Sequence, residues 1–155
     1  MSTPDKLSSL IDQVEQKLDS NSYHNSSGLD LRKENLKTLE FLYNKLEISK
    51  KHDNFETVFE YKAMNLSGIG LKKEDFAEIR KGKYIQIISI SYQFNEKGKR
   101  IAKNSSLGYF GKSDNLEPEL KRDIIEFVLR WRYEKAFQHT EHYELLLQKL
   151  DKKIL

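Results

Sequence analysis

Three stretches of the chain carry apolar residues every three or four positions, which is the spacing of an amphipathic helix. Thr3 as an N-cap and Pro4 at the first helical position predict a helix near the start, and the Ser/Asn-rich residues 20–28 after it indicate a linker. A second helix is predicted from Leu31 to Lys50. Its buried stripe is expected to consist of Leu36, Leu39, Tyr43 and Leu46.

The third helical pattern begins at Pro118 and continues to about residue 150. Residues 124–131 are apolar nearly all round, so this part is expected to cross the core with Trp131 buried. At a rise of 1.5 Å per residue, such a helix would be about 50 Å long. It therefore either projects beyond the body or bends near His139 and Thr140.

The clearest strand pattern is KYIQIISISYQF at residues 83–94. One face is apolar for its whole length, whereas the other is apolar only at Ile85 and Ile87, as is typical of a strand that leaves the core at one end. The residues of the continuously apolar face are Tyr84, Ile88, Ile90, Tyr92 and Phe94. Asn95 and Gly98 then have the spacing of a type I turn with a left-handed glycine, so residues 99–105 are predicted to return as an edge strand. Residues 107–111 either add a short strand or form a loop.

Two segments have more ambiguous patterns. Residues 54–64 fit either a strand or a helix with Asp53 and Glu56 as a capping pair, and their aromatic and β-branched content favours the strand. Residues 72–82 indicate a short helix that Gly82 ends.

The order of elements predicts an α+β fold. We expect a small antiparallel sheet of three to four strands that packs against N-terminal helices and a long C-terminal helix. Residues 1–28 are predicted to form an N-terminal helix and a linker, and residues 29–155 a single α+β domain.

The composition excludes several chemistries. The 155 residues are 37% hydrophobic and 33% charged, which suits a folded domain. Because the chain has no cysteine, a disulfide framework, a thiolate zinc site and a thiol nucleophile are excluded. No apolar run has the length of a signal peptide or a membrane span, so a cytoplasmic protein without membrane contact is expected. No cofactor, metal site or catalytic residue is predicted.

Positive charge is concentrated in one part of the chain. Residues 80–112 contain eight basic residues and one acid, Glu96, a net charge of +7, whereas the whole chain carries +3. A local positive field attracts an acidic partner, and two aromatic residues between Gly108 and Gly111 could anchor that partner. The predicted partner-binding residues are Arg80, Lys81, Lys83, Lys97, Lys99, Arg100, Lys103, Tyr109, Phe110 and Lys112.

Protection of an exposed edge strand is the alternative explanation for these cations, because lysines there deter aggregation. It accounts for Lys97 and Lys99. It accounts less well for Lys81, Lys83 and Lys112, which lie outside the predicted hairpin tip.

Gly68-Ile69-Gly70 resembles the turn of a helix-hairpin-helix element, in which backbone N–H groups bind a DNA phosphate. The resemblance implies nucleic-acid binding, with Lys72 and Lys73 close to the phosphate. It also requires a helix before the turn, and the apolar residues that should follow arrive late, at Ala77 and Ile79. An ordinary loop with two glycines is the favoured interpretation.

Two other motifs point to metal chemistry. Glu60 and Lys62 have the E-x-K form of strand-borne sites in metal-dependent nucleases, but Asp53 is too close in sequence to be the additional acid on an adjoining strand. His139 and His142 lie three residues apart on a predicted helix and would supply two ligands of a metal site. We interpret both motifs as surface features.

The leading hypothesis from sequence is a small non-enzymatic binding protein of the inhibitor, immunity or adaptor type. It would dock an acidic macromolecular partner, most simply an acidic protein surface, through the basic hairpin. The alternatives are a nucleic-acid-binding protein that uses the same segment and, least favoured, a nuclease. An apolar seam at the end of the last helix either packs on the first helix or forms a homodimer contact, and its length favours the dimer. Its residues are Tyr143, Leu146, Leu147 and Leu150.

Overall fold

A computed structural model describes Ile11 and residues 26–155. Its α-helices and strands over residues 26–155 are α1 (Ser26–Lys45), β1 (Ala63–Ser67), β2 (Tyr84–Phe94), β3 (Arg100–Lys112) and α2 (Pro118–Ile154). The α+β prediction, with a small antiparallel sheet and a long C-terminal helix, is confirmed. The N-terminal helix and linker predicted over residues 1–28 lie outside the described residues, except for Ile11, which packs against the core, and Ser26–Gly28, which are already helical.

The sheet is antiparallel with the order β1-β2-β3. β1 pairs with β2 only from Gln86 to Ile90, so the hairpin of β2 and β3 continues beyond β1 as a two-stranded ribbon. We call residues 91–104 the arm. Every residue from 92 to 104 is exposed, so the arm lies outside the core on both of its faces.

The turn at the tip of the arm has the predicted chemistry. The side-chain oxygen of Asn95 accepts hydrogen bonds of 2.9 Å from the N–H groups of Lys97 and Lys99. Gly98 has a φ of 76°, a left-handed conformation that glycine adopts without steric cost. The sequence therefore specifies this hairpin locally.

The core lies between the sheet and the two helices. Its α1 stripe is the predicted one (Leu36, Leu39, Tyr43 and Leu46). The predicted core segment of α2 is also buried, and the Trp131 Nε1–H donates a hydrogen bond of 2.9 Å to the carbonyl of Val58. This bond satisfies the indole inside the core.

α1 and α2 pack antiparallel, and buried polar contacts fix their register. Arg32 is held by Glu134 at 2.8 Å and by Glu141 at 3.3 Å, all three side chains being buried. At the other end of α1, Lys45 lies 2.8 Å from Asp123. The loss of Arg32 would leave two buried carboxylates without their cation, and breaking a buried pair in this way typically costs about 3–5 kcal/mol.

Tyr43 is a second buried polar point. Its hydroxyl donates a hydrogen bond to the carbonyl of His52. Burial raises the pKa of Tyr43 to about 12, because the phenolate would lose its hydration. The ring of His52 in turn contacts the hydroxyls of Thr57 and Tyr61 at 2.7 and 3.1 Å.

Three expectations about secondary structure are corrected or completed. Residues 55–60 form a 3₁₀ helix capped by the Asn54 side chain, and the strand begins only at Ala63, so the predicted strand over residues 54–64 is largely wrong. Residues 72–82 form turns rather than a helix, because backbone bonds join Gly70 to Ala77 and Glu78. α2 is continuous over 37 residues and does not end or restart near His139.

Candidate partner-binding surface

The two faces of β2 have different surroundings. Ile85, Ile87 and Ser89 point into the core and are fully buried. The alternate residues point away from the helices, half-buried in the middle of the strand and exposed at its ends, with Tyr84 50% and Phe94 73% exposed. The two faces are the predicted ones, but the more apolar of them, interrupted only by Gln86, is the one that meets solvent.

We define the outer face by these alternate residues of β2 and by the β3 residues beside them. It consists of Tyr84, Gln86, Ile88, Ile90, Tyr92 and Phe94 with Arg100, Ala102, Asn104, Ser106, Tyr109 and Lys112. Apart from Gln86, its β2 members are aliphatic or aromatic, and soluble proteins rarely leave a large group of such side chains exposed unless it binds something. The outer face is therefore the strongest candidate site among the described residues.

Aromatic rings and cations meet at both ends of the outer face. At the arm, the Arg100 guanidinium carbon lies 4.3 Å from the ring centre of Tyr92. At the opposite end, the ring centres of Tyr84 and Tyr109 are 5.7 Å apart, and the Lys112 ammonium lies 5.9 Å from the Tyr84 ring centre. Such contacts orient the cations but leave their charge uncompensated.

The eight predicted cations are divided between the two ends of the hairpin. The arm group consists of Lys97, Lys99, Arg100 and Lys103, and the base group of Arg80, Lys81, Lys83 and Lys112. Lys112 pairs with Tyr84 and Lys103 with Ser91, so at a rise of about 3.3 Å per residue the seven steps along β2 place these nearest members of the two groups roughly 23 Å apart. The predicted residues thus form two cationic ends rather than one patch.

These cations are largely free of carboxylate partners. Among the described residues, only Arg80 of the eight is in an ion pair, with Asp75 at 3.1 Å. The hydrogen bond from Arg80 lowers the pKa of Asp75. The remaining seven keep their charge available to a partner.

Two predicted contact residues, Tyr109 and Phe110, have opposite environments. Tyr109 is 57% exposed on the outer face. Phe110 packs against the core, and its ring lies so close to Gly108 that a Cβ there would approach it to 2.7 Å. Phe110 is therefore a structural residue, because β3 bulges at this point and turns its side chain inward.

The Gly68-Ile69-Gly70 turn lacks the geometry of a helix-hairpin-helix element. The preceding segment is strand β1, and the following one consists of turns. The N–H of Gly70 already donates to the carbonyl of Glu78, and Ile69 is buried. These atoms are occupied in forming the loop.

The two metal-related motifs also differ from their functional templates. Glu60 ends a 3₁₀ helix and Lys62 precedes β1, so the pair is not carried by a strand. Over residues 26–155, no group of three or more His, Asp or Glu side chains has an arrangement that would hold a metal ion. Nor does any helix in the described part of the chain have the length and apolar character needed to cross a membrane.

Comparisons with known proteins give no family for this chain. No protein-family model, curated protein or solved structure matches it. Its function must therefore be inferred from the surface described above.

Three aromatic members of this candidate surface, Tyr84, Tyr92 and Phe94, were not among the residues predicted from sequence to bind a partner. A signal was present, since two of the three are tyrosines, whose hydroxyls suit a surface that is only partly dry. The exposed position of Phe94 depends on the shortness of β1, which the ambiguous pattern of residues 54–64 did not reveal.

Proposed function

We propose that this chain is a small non-enzymatic binding protein that docks a partner protein on its outer face. The observation that carries the proposal is the exposed apolar face of β2 and β3, which ends in uncompensated cations on both sides. A partner with an apolar centre and acidic residues around it would complement this surface.

The middle of the outer face favours a protein over a nucleic acid. Ile88 and Ile90 lie there, and aliphatic side chains provide the water-excluding centre of a protein interface but no ring on which a base could stack. Tyrosine, phenylalanine and arginine surround this centre, and these residue types are enriched in protein interfaces. The cations at the ends would then steer association with the acidic partner.

The arm extends this surface beyond the three-stranded part of the sheet. Because residues 92–104 are exposed on both faces, a partner can contact Phe94 and Arg100 on one side and Ile101 and Lys103 on the other. A groove in the partner could enclose the arm, as an inhibitor loop is enclosed by its target. This arrangement suits the inhibitor, immunity or adaptor class.

The proposal is tested by identifying a protein captured by the wild-type chain and measuring its dissociation constant with purified components. Lys99→Glu combined with Arg100→Glu reverses two charges on the arm, and Lys50→Glu combined with Lys51→Glu is the matched control elsewhere. We expect only the arm variant to weaken binding. Equal binding by both variants would contradict the proposal.

Nucleic acid is tested in parallel with random single-stranded and duplex oligonucleotides over a range of salt concentrations. Phosphate-driven binding weakens steeply as salt rises. Tight, salt-sensitive oligonucleotide binding that the arm variant abolishes would replace the protein partner with a nucleic acid.

We also propose that a second copy of the chain pairs with the C-terminal part of α2. Beyond Glu141, the last residue of α2 that contacts Arg32, the predicted seam is exposed. Tyr143, Leu147, Leu150 and Ile154 follow the alternating four-three spacing of a coiled coil. Sedimentation equilibrium should show a dimer that Leu147→Glu with Leu150→Glu makes monomeric, whereas a monomeric wild-type chain would contradict this contact.

A further inference from the structure

A second cationic site lies between β1 and α2, at the edge of the sheet, where Asn65 pairs with Ile88 of the outer face. Its cavity has a volume of about 380 Å³ and is lined by Lys62, Asn65, Arg132, Lys135 and His139, with Trp131 among its apolar walls. Lys62 directly precedes β1 and Asn65 lies in its middle, and the other three polar residues are spaced three and four positions apart on α2. Three permanent or near-permanent cations and an imidazole thus share one cavity.

Hydrogen bonds to backbone carbonyls hold two of these cations in place. The Arg132 guanidinium donates to the carbonyl of Met64 through Nε at 3.2 Å and Nη2 at 2.9 Å, and Nη2 also lies 3.3 Å from the Asn65 Oδ1. The Lys135 ammonium donates to the carbonyl of Phe59 at 2.8 Å. A guanidinium has five N–H donors and an ammonium three, so the two N–H groups of Arg132 Nη1 and two of Lys135 remain available to a ligand.

The cavity has no acid of its own. Its lining contains no carboxylate, and Lys62, Arg132 and Lys135 form no ion pair with any described residue. Burial and the charge of Lys62 lower the pKa of Lys135, although the nearby Glu134, which is bound to Arg32, acts in the opposite direction. Like charges held together in this way favour an anion between them.

We propose that this cavity binds a small phosphate monoester, with the phosphate between Lys62, Arg132 and Lys135. A phosphate offers three acceptor oxygens and up to two negative charges, which match the forked guanidinium and the two ammonium groups better than a single carboxylate does. The apolar walls and the volume leave room for the organic part of the ligand. None of its three cations belongs to the two cationic ends of the outer face, so phosphate binding here does not require a protein partner there.

The test uses phenyl phosphate as the probe, titrated into ¹⁵N-labelled wild-type chain and followed by NMR. Saturable shift changes are expected in residues 62–65 and 131–139. Benzoate and phenyl sulfate, which carry the same ring and a single charge, should bind at least several-fold more weakly. Equal affinity for all three, no saturation, or changes confined to the arm would overturn the proposal.

Two variants and one control locate the site. Lys62→Gln removes an ammonium group that forms no hydrogen bond within the described part of the fold, and Arg132→Gln removes the guanidinium group. Each is expected to weaken phenyl phosphate binding about tenfold, the effect of losing one charged hydrogen bond. Lys37→Gln, an exposed lysine on α1, should leave it unchanged. If Arg132→Gln unfolds the chain, Lys62→Gln alone decides, and undiminished binding by it would overturn the assignment.

A 5′-phosphorylated oligonucleotide tests whether the bound phosphate belongs to the end of a nucleic acid rather than to a small ligand. A short strand with a 5′-phosphate is compared with the unphosphorylated strand and with phenyl phosphate. Tighter binding of the 5′-phosphorylated strand than of phenyl phosphate would replace the small ligand with a nucleic-acid end, whereas equal or weaker binding supports the small ligand.

Discussion

The inner and outer faces of the same sheet show how little apolar character alone decides burial. On β2 the inner face has two isoleucines followed by two serines and a glutamine, and the outer face has isoleucines and aromatic residues at every position except Gln86. The helices cover the inner face, where Ile85 and Ile87 are fully buried. The more apolar face is the one left to solvent.

This difference separates residues that stabilise the fold from residues that can serve a partner. The buried inner side chains contribute to stability, because their removal would leave cavities in a packed core. The outer side chains contribute less to stability and more to an interface. Substitutions of inner and outer side chains should therefore differ in their effects on stability and on binding.

Ile87 and Ile88 give the sharpest comparison, because they are adjacent and identical but point to opposite faces. Ile87→Ala is expected to lower the free energy of unfolding by about 2–5 kcal/mol through loss of packing in the core. Ile88→Ala should cost less than about 1 kcal/mol. Urea denaturation followed by circular dichroism measures both, and equal losses would show that the two faces are equally buried.

The buried hydroxyl of Tyr43 should make the free energy of unfolding depend on pH. Because its pKa is about 12 in the folded state and 10.0 otherwise, the folded state retains the proton more strongly. Its contribution is fully present below pH 10 and is lost as the pH rises towards 12, up to about 3 kcal/mol. Tyr43→Phe should show a shallower loss of stability over this range, and parallel curves for the two proteins would contradict a dry environment.

Phe94 is the most exposed aromatic residue of the outer face. Phe94→Ser is expected to weaken partner binding about 30-fold, the effect of removing a hot-spot residue worth about 2 kcal/mol. The free energy of unfolding should change by less than about 0.5 kcal/mol. Calorimetric titration with the captured partner and urea denaturation together make the test. Unchanged affinity, or a large loss of stability, would place Phe94 among the structural residues.

Gly98 and Gly82 allow a smaller comparison between the arm and the base of the hairpin. Both have a φ of 76°, and an added Cβ would meet no atom within 4 Å at either site. An alanine at each position should therefore cost about 1 kcal/mol through backbone strain alone. Only Gly98→Ala should also weaken partner binding, because only it disturbs the arm. Weakening by Gly82→Ala to the same degree would argue against a role of the arm.

Local chemistry explains why parts of the fold were predictable. The turn from Asn95 to Gly98 and the helix start at Pro118 are fixed by residues that act within a few positions, and both were confirmed. The stripe of α1 was equally clear, since its helical period is regular.

The wrong predictions concern segments whose structure depends on distant contacts. Residues 72–82 have helical spacing, but Ile79 pairs with Ile69 and Arg80 donates its N–H to Gly68, which pulls the segment into turns. The choice between the two faces of β2 likewise depends on where the helices pack. Alternation predicted that β2 has two faces and could not predict which one the helices would cover.

The candidate site was predicted in part. The concentration of positive charge in residues 80–112 indicated the hairpin, whose arm carries four of these cations. It could not show that the base group lies at the other end of the sheet, or that Phe110 turns inward at a bulge. The pairing of Arg100 with Tyr92 required the register of β2 and β3, which a single sequence does not provide.

The most direct test of the central claim is side-chain footprinting of the chain with hydroxyl radicals, alone and with its captured partner. If the outer face is the docking surface, Tyr92, Phe94 and Tyr109 should be oxidised in the free chain and protected in the complex. Tyr133, which is exposed on α2, should be labelled equally in both. Protection of Tyr133 with continued oxidation of the three outer-face residues would contradict the account.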